Sequence, residues 1–186
     1  MSTRVKNAAA TRGNILAAAR RRFLQESYEN VGLRNIAADA GVDVALTGRY
    51  FGSKEELFKE VLRGTRGEWL DPTVTAADLP EWLAALATQK HRPGEREDIE
   101  RLLIILRSAS SPTPAEVVRQ TFRANVLDPV AALLDGPDAE TRASVALSLL
   151  MGTTILRTIM AVEPLAECDA GAVRARLTAL FSAALA

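Results

Sequence analysis

The sequence is poor in the residues that carry most metal and redox chemistry. Its 186 residues include one cysteine, Cys168, and one histidine, His91. A single cysteine cannot close a disulfide within the chain, which suits a reducing cytoplasm, and no second Cys or His lies nearby at zinc-ligand spacing. We therefore expect no metal site, no cofactor and a cytoplasmic location.

Patterns typical of enzymes are also missing. His91 lies in a Lys-His-Arg-Pro loop, where we expect it to be exposed and without a catalytic partner. The segment from Gly48 to Lys54 is not a P-loop, because that motif requires Lys directly after its second Gly. The acidic residues between Glu95 and Glu100 favour the start of a helix through its dipole. We therefore do not expect an enzyme.

Long hydrophobic runs are absent as well. The longest uncharged run is Ala143 to Leu156, which has 14 residues between two arginines. A membrane-spanning helix needs about 20 apolar residues, so we expect no membrane partner. Because no apolar segment follows Lys6, we also expect no secretory signal.

Aromatic residues make up only 5% of the chain, whereas Ala occurs 32 times and Leu 24 times. Ala and Leu favour helices, while strands favour β-branched and aromatic residues. The apolar fraction of 48% is enough for a core. The pattern therefore predicts an all-α fold of about nine helices, with a frayed arm over residues 1–10.

Two short helices with a glycine turn predict a helix-turn-helix. They are Leu33–Ala40, ended by Gly41, and Val44–Tyr50, capped by Asp43. Such a pair places its second helix in the major groove of DNA. The plainer alternative is a helix hairpin without DNA binding. Ser53 and Glu56 predict a capping box for a fourth helix that runs to about Trp69.

The net charge of zero divides unevenly along the chain. Residues 1–54 hold nine basic and four acidic residues, a net charge of +5, and residues 55–186 hold 14 basic and 19 acidic residues, a net charge of −5. Phosphate contacts supply much of the free energy of DNA binding and require a basic excess. The charge therefore favours the DNA-binding interpretation of the N-terminal helices.

One stretch, from Thr11 to about Leu62, carries a family resemblance. Its motifs are Ile15–Ala19, Phe23, Tyr28, Leu33–Ala37, Ala40–Val42, Tyr50–Lys54 and Leu57–Phe58. This stretch resembles the TetR family of transcriptional regulators. The resemblance implies a DNA-binding domain over residues 1–62 and a ligand-binding and dimerisation domain over residues 63–186. It also implies a homodimer built on the last two helices, a small-molecule effector and, by family tendency, repression through a near-palindromic operator in double-stranded DNA.

The expected DNA-binding residues lie in or beside the predicted helix-turn-helix. Thr47 and Arg49 would donate to bases or phosphates, and Arg34 and Lys54 would contact phosphates, although Lys54 also fits an ordinary surface lysine. Val44 and Ala45 would touch a thymine methyl group, unless Ala45 packs inward. The sequence departs from the family at Gly48, where a phosphate-contacting Tyr is frequent. The expectation is that Tyr50 takes over part of that contact.

The C-terminal half offers weaker predictions. Residues suited to an apolar effector pocket are Trp69, Trp82, Leu102, Leu106, Phe122, Met151 and Leu156, with Arg157, Arg107 or Arg123 as the polar anchor. The expected dimer interface consists of Val145, Leu149, Gly152, Thr153, Leu156, Met160, Val173, Leu177, Leu180 and Phe181. Both sets also fit ordinary core or surface. The alternative function is a helical protein-interaction module without specific DNA binding.

Overall fold

The described part of the chain is helical throughout. The structure is a computed structural model that describes residues 2–64, 69–89, 94–109, 111–163 and 165–186. Within these ranges it contains nine helices and no strand, which confirms the predicted all-α class. The helices are α1 (Ser2–Gln25), α2 (Leu33–Asp39), α3 (Val44–Phe51), α4 (Lys54–Arg63), α5 (Leu79–Thr88), α6 (Glu95–Ser108), α7 (Pro112–Phe122), α8 (Ala139–Thr154) and α9 (Ala170–Leu185).

Two of these helices continue beyond regular α geometry. Helix α7 passes through a π-helical turn, Arg123–Leu127, into a last α-helical turn, Asp128–Ala131. Helix α8 passes into a second π-helical turn, Ile155–Ile159. A short 3₁₀ helix, Tyr28–Asn30, also separates α1 from α2. His91, which the sequence predicts to be exposed, lies outside the described ranges.

Helix α1 begins at Ser2, so the prediction of a frayed arm over residues 1–10 is wrong. The segment contains no proline and no glycine before Gly13, and residues 8–10 are all alanine. Because alanine has the highest intrinsic helix propensity, nothing in this segment ends the helix. Polar residues such as those of residues 2–7 do not prevent a helix from forming, so the polarity of this segment did not justify predicting a frayed arm.

Helix α4 ends at Arg63, earlier than the predicted end near Trp69. Gly64 follows with a φ of +82°, in the left-handed region that favours glycine. Its N–H donates to the carbonyl of Glu60, and the Arg101 side chain donates to the carbonyl of Arg63 at 2.8 Å. These bonds satisfy carbonyls that the end of a helix leaves open.

The described residues form two compact units. The first comprises residues 1–67 and 96–121, and thus contains α1 to α4 with nearly all of α6 and α7. Its core includes Phe23, Tyr28 and Phe58, whose rings lie 4.8 to 5.9 Å apart between centroids. Ile104 of α6 belongs to the same core. The core fixes the helices that carry the predicted DNA-binding residues.

The second unit comprises residues 68–95 and 122–186. Leu79, Leu83, Leu147 and Phe181 lie in its core, which joins α5, α8 and α9. The Glu81 carboxylate accepts from the Thr178 hydroxyl at 2.6 Å, and this bond links α5 with α9. None of the helices in the described ranges combines the length and apolarity of a membrane span.

Candidate nucleic-acid interface

Helices α2 and α3 are joined by the tight turn that the sequence predicts. Gly41 has a φ of +67°, and the N–H of Val42 donates to the carbonyl of Ala37 at 3.0 Å. Asp43 caps α3 by accepting the N–H of Ala45 at 2.7 Å. Ala37 is buried, so the two helices meet through small side chains. This is the arrangement in which a second helix enters a major groove.

Four residues of α3 share one outward face. Val44 and Ala45 are followed one turn later by Gly48 and Arg49, a spacing that places all four on the same side of a helix. Val44, Ala45 and Arg49 are exposed, and a Cβ added at Gly48 would meet no atom within 4 Å. This face therefore offers two small apolar side chains and one guanidinium. Tyr50 lies beside it and packs partly against the core.

Thr47 lies on the opposite side of α3. Its side chain is fully buried, and its Oγ1 atom has no hydrogen-bond partner among the residues that the structure describes. The prediction that Thr47 donates to a base or phosphate is therefore wrong for this structure. Thr47 lies two residues from both Ala45 and Arg49, and residues two apart point to nearly opposite sides of a helix, so Thr47 faces the core that also holds Phe51.

Lys54 is held at the start of α4 by two groups. Its Nζ lies 4.3 Å from the centroid of the Tyr28 ring and 3.5 Å from the carbonyl oxygen of Glu29. Burial lowers the pKa of Lys54 below its usual value, with Glu29 opposing the shift. Ser53 caps the same helix end by accepting the N–H of Glu56 at 3.1 Å. An ammonium and a helix N-terminus therefore lie together, a combination that suits a phosphate.

Intrachain ion pairs neutralise much of the basic excess in the first 54 residues. Arg12 pairs with Glu60 at 2.7 Å, and Arg20 lies 3.4 Å from the carboxylates of Glu97 and Glu100. Another pair, between Arg22 and Asp39, has N–O distances of 2.5 and 2.8 Å.

Three further arginines of this segment have no ion pair among the described residues. They are Arg21, Arg34 and Arg49, and all three are exposed. The positive charge available to an anionic partner is therefore smaller than the sequence count indicates. It includes Arg49 on the outward face of α3.

Helix α6 contacts the ends of two N-terminal helices, a contact that the sequence does not predict. Arg101 donates to the carbonyl of Arg63 at the end of α4, and Arg107 donates to the carbonyl of Gln25 at the end of α1, at 3.1 Å. Both bonds join residues far apart in the chain. No local motif predicts such a contact, because an arginine beside a helix end has the same sequence signature as any surface arginine.

The predicted effector residues fall into two groups. Leu102, Leu106 and Arg107 belong to the first unit, whereas the other predicted residues belong to the second. In the second unit the rings of Trp69 and Trp82 meet edge to face, 5.1 Å apart between centroids. Phe122 packs against the core there, and Met151 is half-buried. Leu156 is exposed. The described contacts thus bring two of these residues together.

The predicted dimer residues also divide by exposure. Val145, Leu156, Met160 and Leu180 are exposed, and the solvent-accessible fraction of Met160 reaches 60%. Leu149 and Gly152 are half-buried. The remaining four residues pack inside their own unit and do not reach its surface, namely Thr153, Val173, Leu177 and Phe181.

Comparison with protein families gives two matches. A model described as "Tetracyclin repressor-like, C-terminal domain" matches residues 78–185, more than half of the chain. A second, described as "Bacterial regulatory proteins, tetR family", matches residues 15–61 and so covers the helix-turn-helix. No curated protein matches the chain.

Solved structures show a similar fold over nearly the whole chain. A TetR-family regulator from Streptomyces coelicolor has 25% identity and a TM-score of 0.52, with 95% of each chain covered. NalD, the secondary repressor of the MexAB-OprM multidrug efflux pump in Pseudomonas aeruginosa, has 18% identity and a TM-score of 0.65, covering 92% of this chain and 95% of that one. A transcriptional regulator from Rhodococcus sp. has 22% identity and a TM-score of 0.55, covering 94% and 95%.

Proposed function

Because the chain belongs to the TetR family, it is a DNA-binding transcriptional regulator, and we propose that it represses transcription until a small molecule releases it from its operator. The observation that carries the DNA-binding role is the outward face of α3. That face is presented by a capped and tightly turned helix pair, and it includes Arg49, which has no ion pair within the described ranges. The description of the C-terminal match as repressor-like supports repression.

The division of roles within the interface follows from exposure and position. Arg49 reads a base edge, for which guanine is the usual partner of arginine. Val44 and Ala45 contact thymine methyl groups. Arg34, on the exposed side of α2, and Lys54, at the start of α4, bind phosphates. This division assigns DNA binding to residues 1–62.

Gly48 leaves the centre of this face without a side chain. A Tyr at this position would reach outward without obstruction, because no atom lies within 4 Å of the added Cβ. In this chain the half-buried Tyr50 is the aromatic residue next to the face. We propose that Tyr50 supplies part of the phosphate contact that a residue at position 48 would otherwise make.

A homodimer is the form in which we propose that this chain binds DNA. Val145, Leu156 and Met160 on or after α8, with Leu180 on α9, are exposed apolar side chains, and apolar side chains gathered on one face would form a protein interaction surface. Leu149 and Gly152 lie along the same part of α8. A two-fold dimer reads two half-sites about one helical turn apart in a near-palindrome.

The second unit supplies the effector response in this proposal. An effector shifts the balance between DNA-competent and DNA-incompetent forms only by its different affinity for the two. The effector and dimer surfaces lie within residues 63–186, in the part that belongs to the second unit, and Trp69, Trp82, Phe122 and Met151 contribute apolar surface to the effector site. The protein acts on DNA in the cytoplasm, without catalytic activity, metal or cofactor.

Selection of bound DNA from a random pool tests the proposed function. The full chain is expected to enrich one near-palindromic sequence, and its affinity for that sequence falls steeply as salt concentration rises. DNA fragments of the same length with scrambled sequence serve as the control. Equal affinity for selected and scrambled DNA at modest salt would favour the alternative, a helical protein-interaction module.

A further inference from the structure

The buried face of α8 ends in an arginine. Ala143, Leu147, Leu150 and Thr153 follow one another at helical spacing along the core of the second unit, and Arg157 occupies the next position. Only 4% of the Arg157 surface is exposed. A hydrophobic residue normally fills such a position, because moving a charge out of water is costly unless it is paired.

The Arg157 guanidinium is not paired with any acidic group among the described residues. Its single hydrogen bond there runs from one terminal nitrogen to the carbonyl oxygen of Leu165, at 2.6 Å. Arg142, on the same helix, instead donates to three backbone carbonyls. An arginine has five N–H donors. Arg157 therefore retains donors that no described residue accepts from, on a side chain that is almost wholly buried.

Thr153 adds a second polar group one turn earlier on the same face. Its side chain is buried, and its hydroxyl forms no hydrogen bond with the described residues. Residues at i and i+4 are neighbours on a helix. Arg157 also lies in the π-helical turn Ile155–Ile159, and such turns occur frequently at functional sites.

We propose that Arg157 and Thr153 bind the carboxylate of an amphiphilic effector whose apolar part lies against the core of the second unit. This inference rests on the proposed function, since it identifies the chemical class of the effector. The planar guanidinium fork matches a carboxylate with two parallel hydrogen bonds, and the Thr153 hydroxyl donates a third. Leu150 and Leu165 supply the apolar surroundings. A neutral molecule would leave the buried charge uncompensated.

Calorimetric titration of the full-length protein tests this with matched pairs of compounds. The probes are straight-chain carboxylates of four to twelve carbons, benzoate and indole-3-acetate, each beside its primary amide. At least one carboxylate is expected to bind about tenfold or more tightly than its amide, because a hydrogen bond between two charged groups is stronger than one in which the ligand is neutral. If no carboxylate binds more tightly than its amide, the proposal is wrong.

Variants assign the preference to the arginine. Arg157→Met is expected to abolish the preference for carboxylate over amide, and Thr153→Val to reduce it several-fold. Arg142→Met is the matched control and is expected to retain the preference. If Arg157→Met does not fold, Arg157→Lys replaces it: the charge remains but the fork is lost, so the preference falls several-fold. If the Arg157 variant prefers carboxylate over amide as strongly as the wild type does, the proposal is wrong.

Operator binding by the wild-type protein separates this inference from the proposed function. Sequence-specific operator binding without any carboxylate preference would contradict the effector class alone. Absence of specific operator binding would instead contradict the regulator itself. If the protein shows both specific operator binding and a carboxylate preference, the preferred carboxylate is expected to release it from the operator. The matching amide is expected to do so only at about tenfold higher concentration or more.

Discussion

Lys54 lies over the face of Tyr28, with its Nζ 4.3 Å from the ring centroid. This cation–π contact fixes an ammonium beside the capped N-terminus of α4, within the first unit. In the proposed interface the lysine is therefore positioned before DNA binds, and contact with a phosphate would cost less side-chain entropy than it would for a freely moving lysine.

Removal of this ammonium is expected to weaken binding to all DNA sequences alike. Lys54→Ala should reduce the slope of log affinity against log salt by about 0.9 per protomer, the amount for one phosphate contact. Fluorescence anisotropy at several salt concentrations measures the slope. Lys59→Ala is the control, because Lys59 pairs with Glu55 and Glu56 on the same helix. An unchanged slope for Lys54→Ala would remove Lys54 from the interface.

The exposed arginine of α3 is expected to behave differently. Arg49→Ala should reduce discrimination between the operator and a single-base variant by about 1–3 kcal/mol at one position of each half-site. Arg34→Ala should weaken binding to both DNAs equally. Arg96→Ala removes an exposed charge on α6 and serves as the control. Competition binding against operator variants measures the affinity of all three proteins. If Arg49→Ala and Arg34→Ala lose the same affinity for every DNA sequence, the division of roles is wrong.

Thr47→Val is expected to raise the free energy of unfolding by about 1 kcal/mol, because valine has nearly the same shape and removes an unpaired buried hydroxyl. DNA affinity and sequence preference should stay as in the wild type. Urea denaturation measures the first quantity and anisotropy the second. A selective loss of binding to one operator variant would restore Thr47 to the interface.

The pair formed by Arg22 and Asp39 predicts a pH dependence. Hydrogen bonds from Arg22 hold the pKa of Asp39 below its usual value. A carboxylate whose pKa is lowered by folding contributes stability fully above its unfolded pKa of about 3.9. That contribution disappears as pH falls through the folded pKa. Asp39→Asn should therefore be less stable than wild type at pH 7, with a difference that shrinks below about pH 4.

Urea denaturation at successive pH values measures this difference. A gap between wild type and Asp39→Asn that stays constant down to the acid limit would mean that the pair with Arg22 contributes nothing specific to the ionised carboxylate.

The exposed apolar residues of α8 and α9 predict the oligomeric state. Leu180→Glu and Val145→Glu should each raise the dimer dissociation constant about a hundredfold or more, because an unpaired carboxylate buried in an interface costs several kcal/mol. Analytical ultracentrifugation measures the constant. Leu103→Glu changes an exposed apolar residue of α6 and should leave the dimer intact. Dimers of unchanged stability in both variants would exclude this surface as the interface.

The helix boundaries around the helix-turn-helix were predictable because their causes are local. Gly41, Asp43 and Ser53 act through backbone angles or bonds that reach no more than a few residues along the chain. Half of the predicted capping box is present: Ser53 accepts the N–H of Glu56, whereas the Glu56 carboxylate pairs with Lys59. A competing ion pair within the same helix is enough to divert such a side chain.

Burial was harder to predict than helicity. The polarity of Thr47 favoured exposure, yet the packing of α3 decides which of its faces is inward, and this packing involves distant residues. The same holds for Val173, Leu177 and Phe181, whose apolar spacing fits a core and an interface equally well. Arg157 is the opposite of Thr47 in one respect: its helical spacing correctly predicts a core position, whereas its charge predicts exposure.

The outward face of α3 limits how well the proposed regulator can distinguish its operator from other sites in a genome. A bidentate arginine contact discriminates by about 1–3 kcal/mol, and a genome offers about 10⁶–10⁹ competing sites. One guanidinium per half-site is too little information for that search. Recognition therefore depends on reading two half-sites together and on the deformability of the DNA between them. In the proposed dimer, a mismatch in one half-site would cost about 1–3 kcal/mol and would leave the contacts to the other half-site in place.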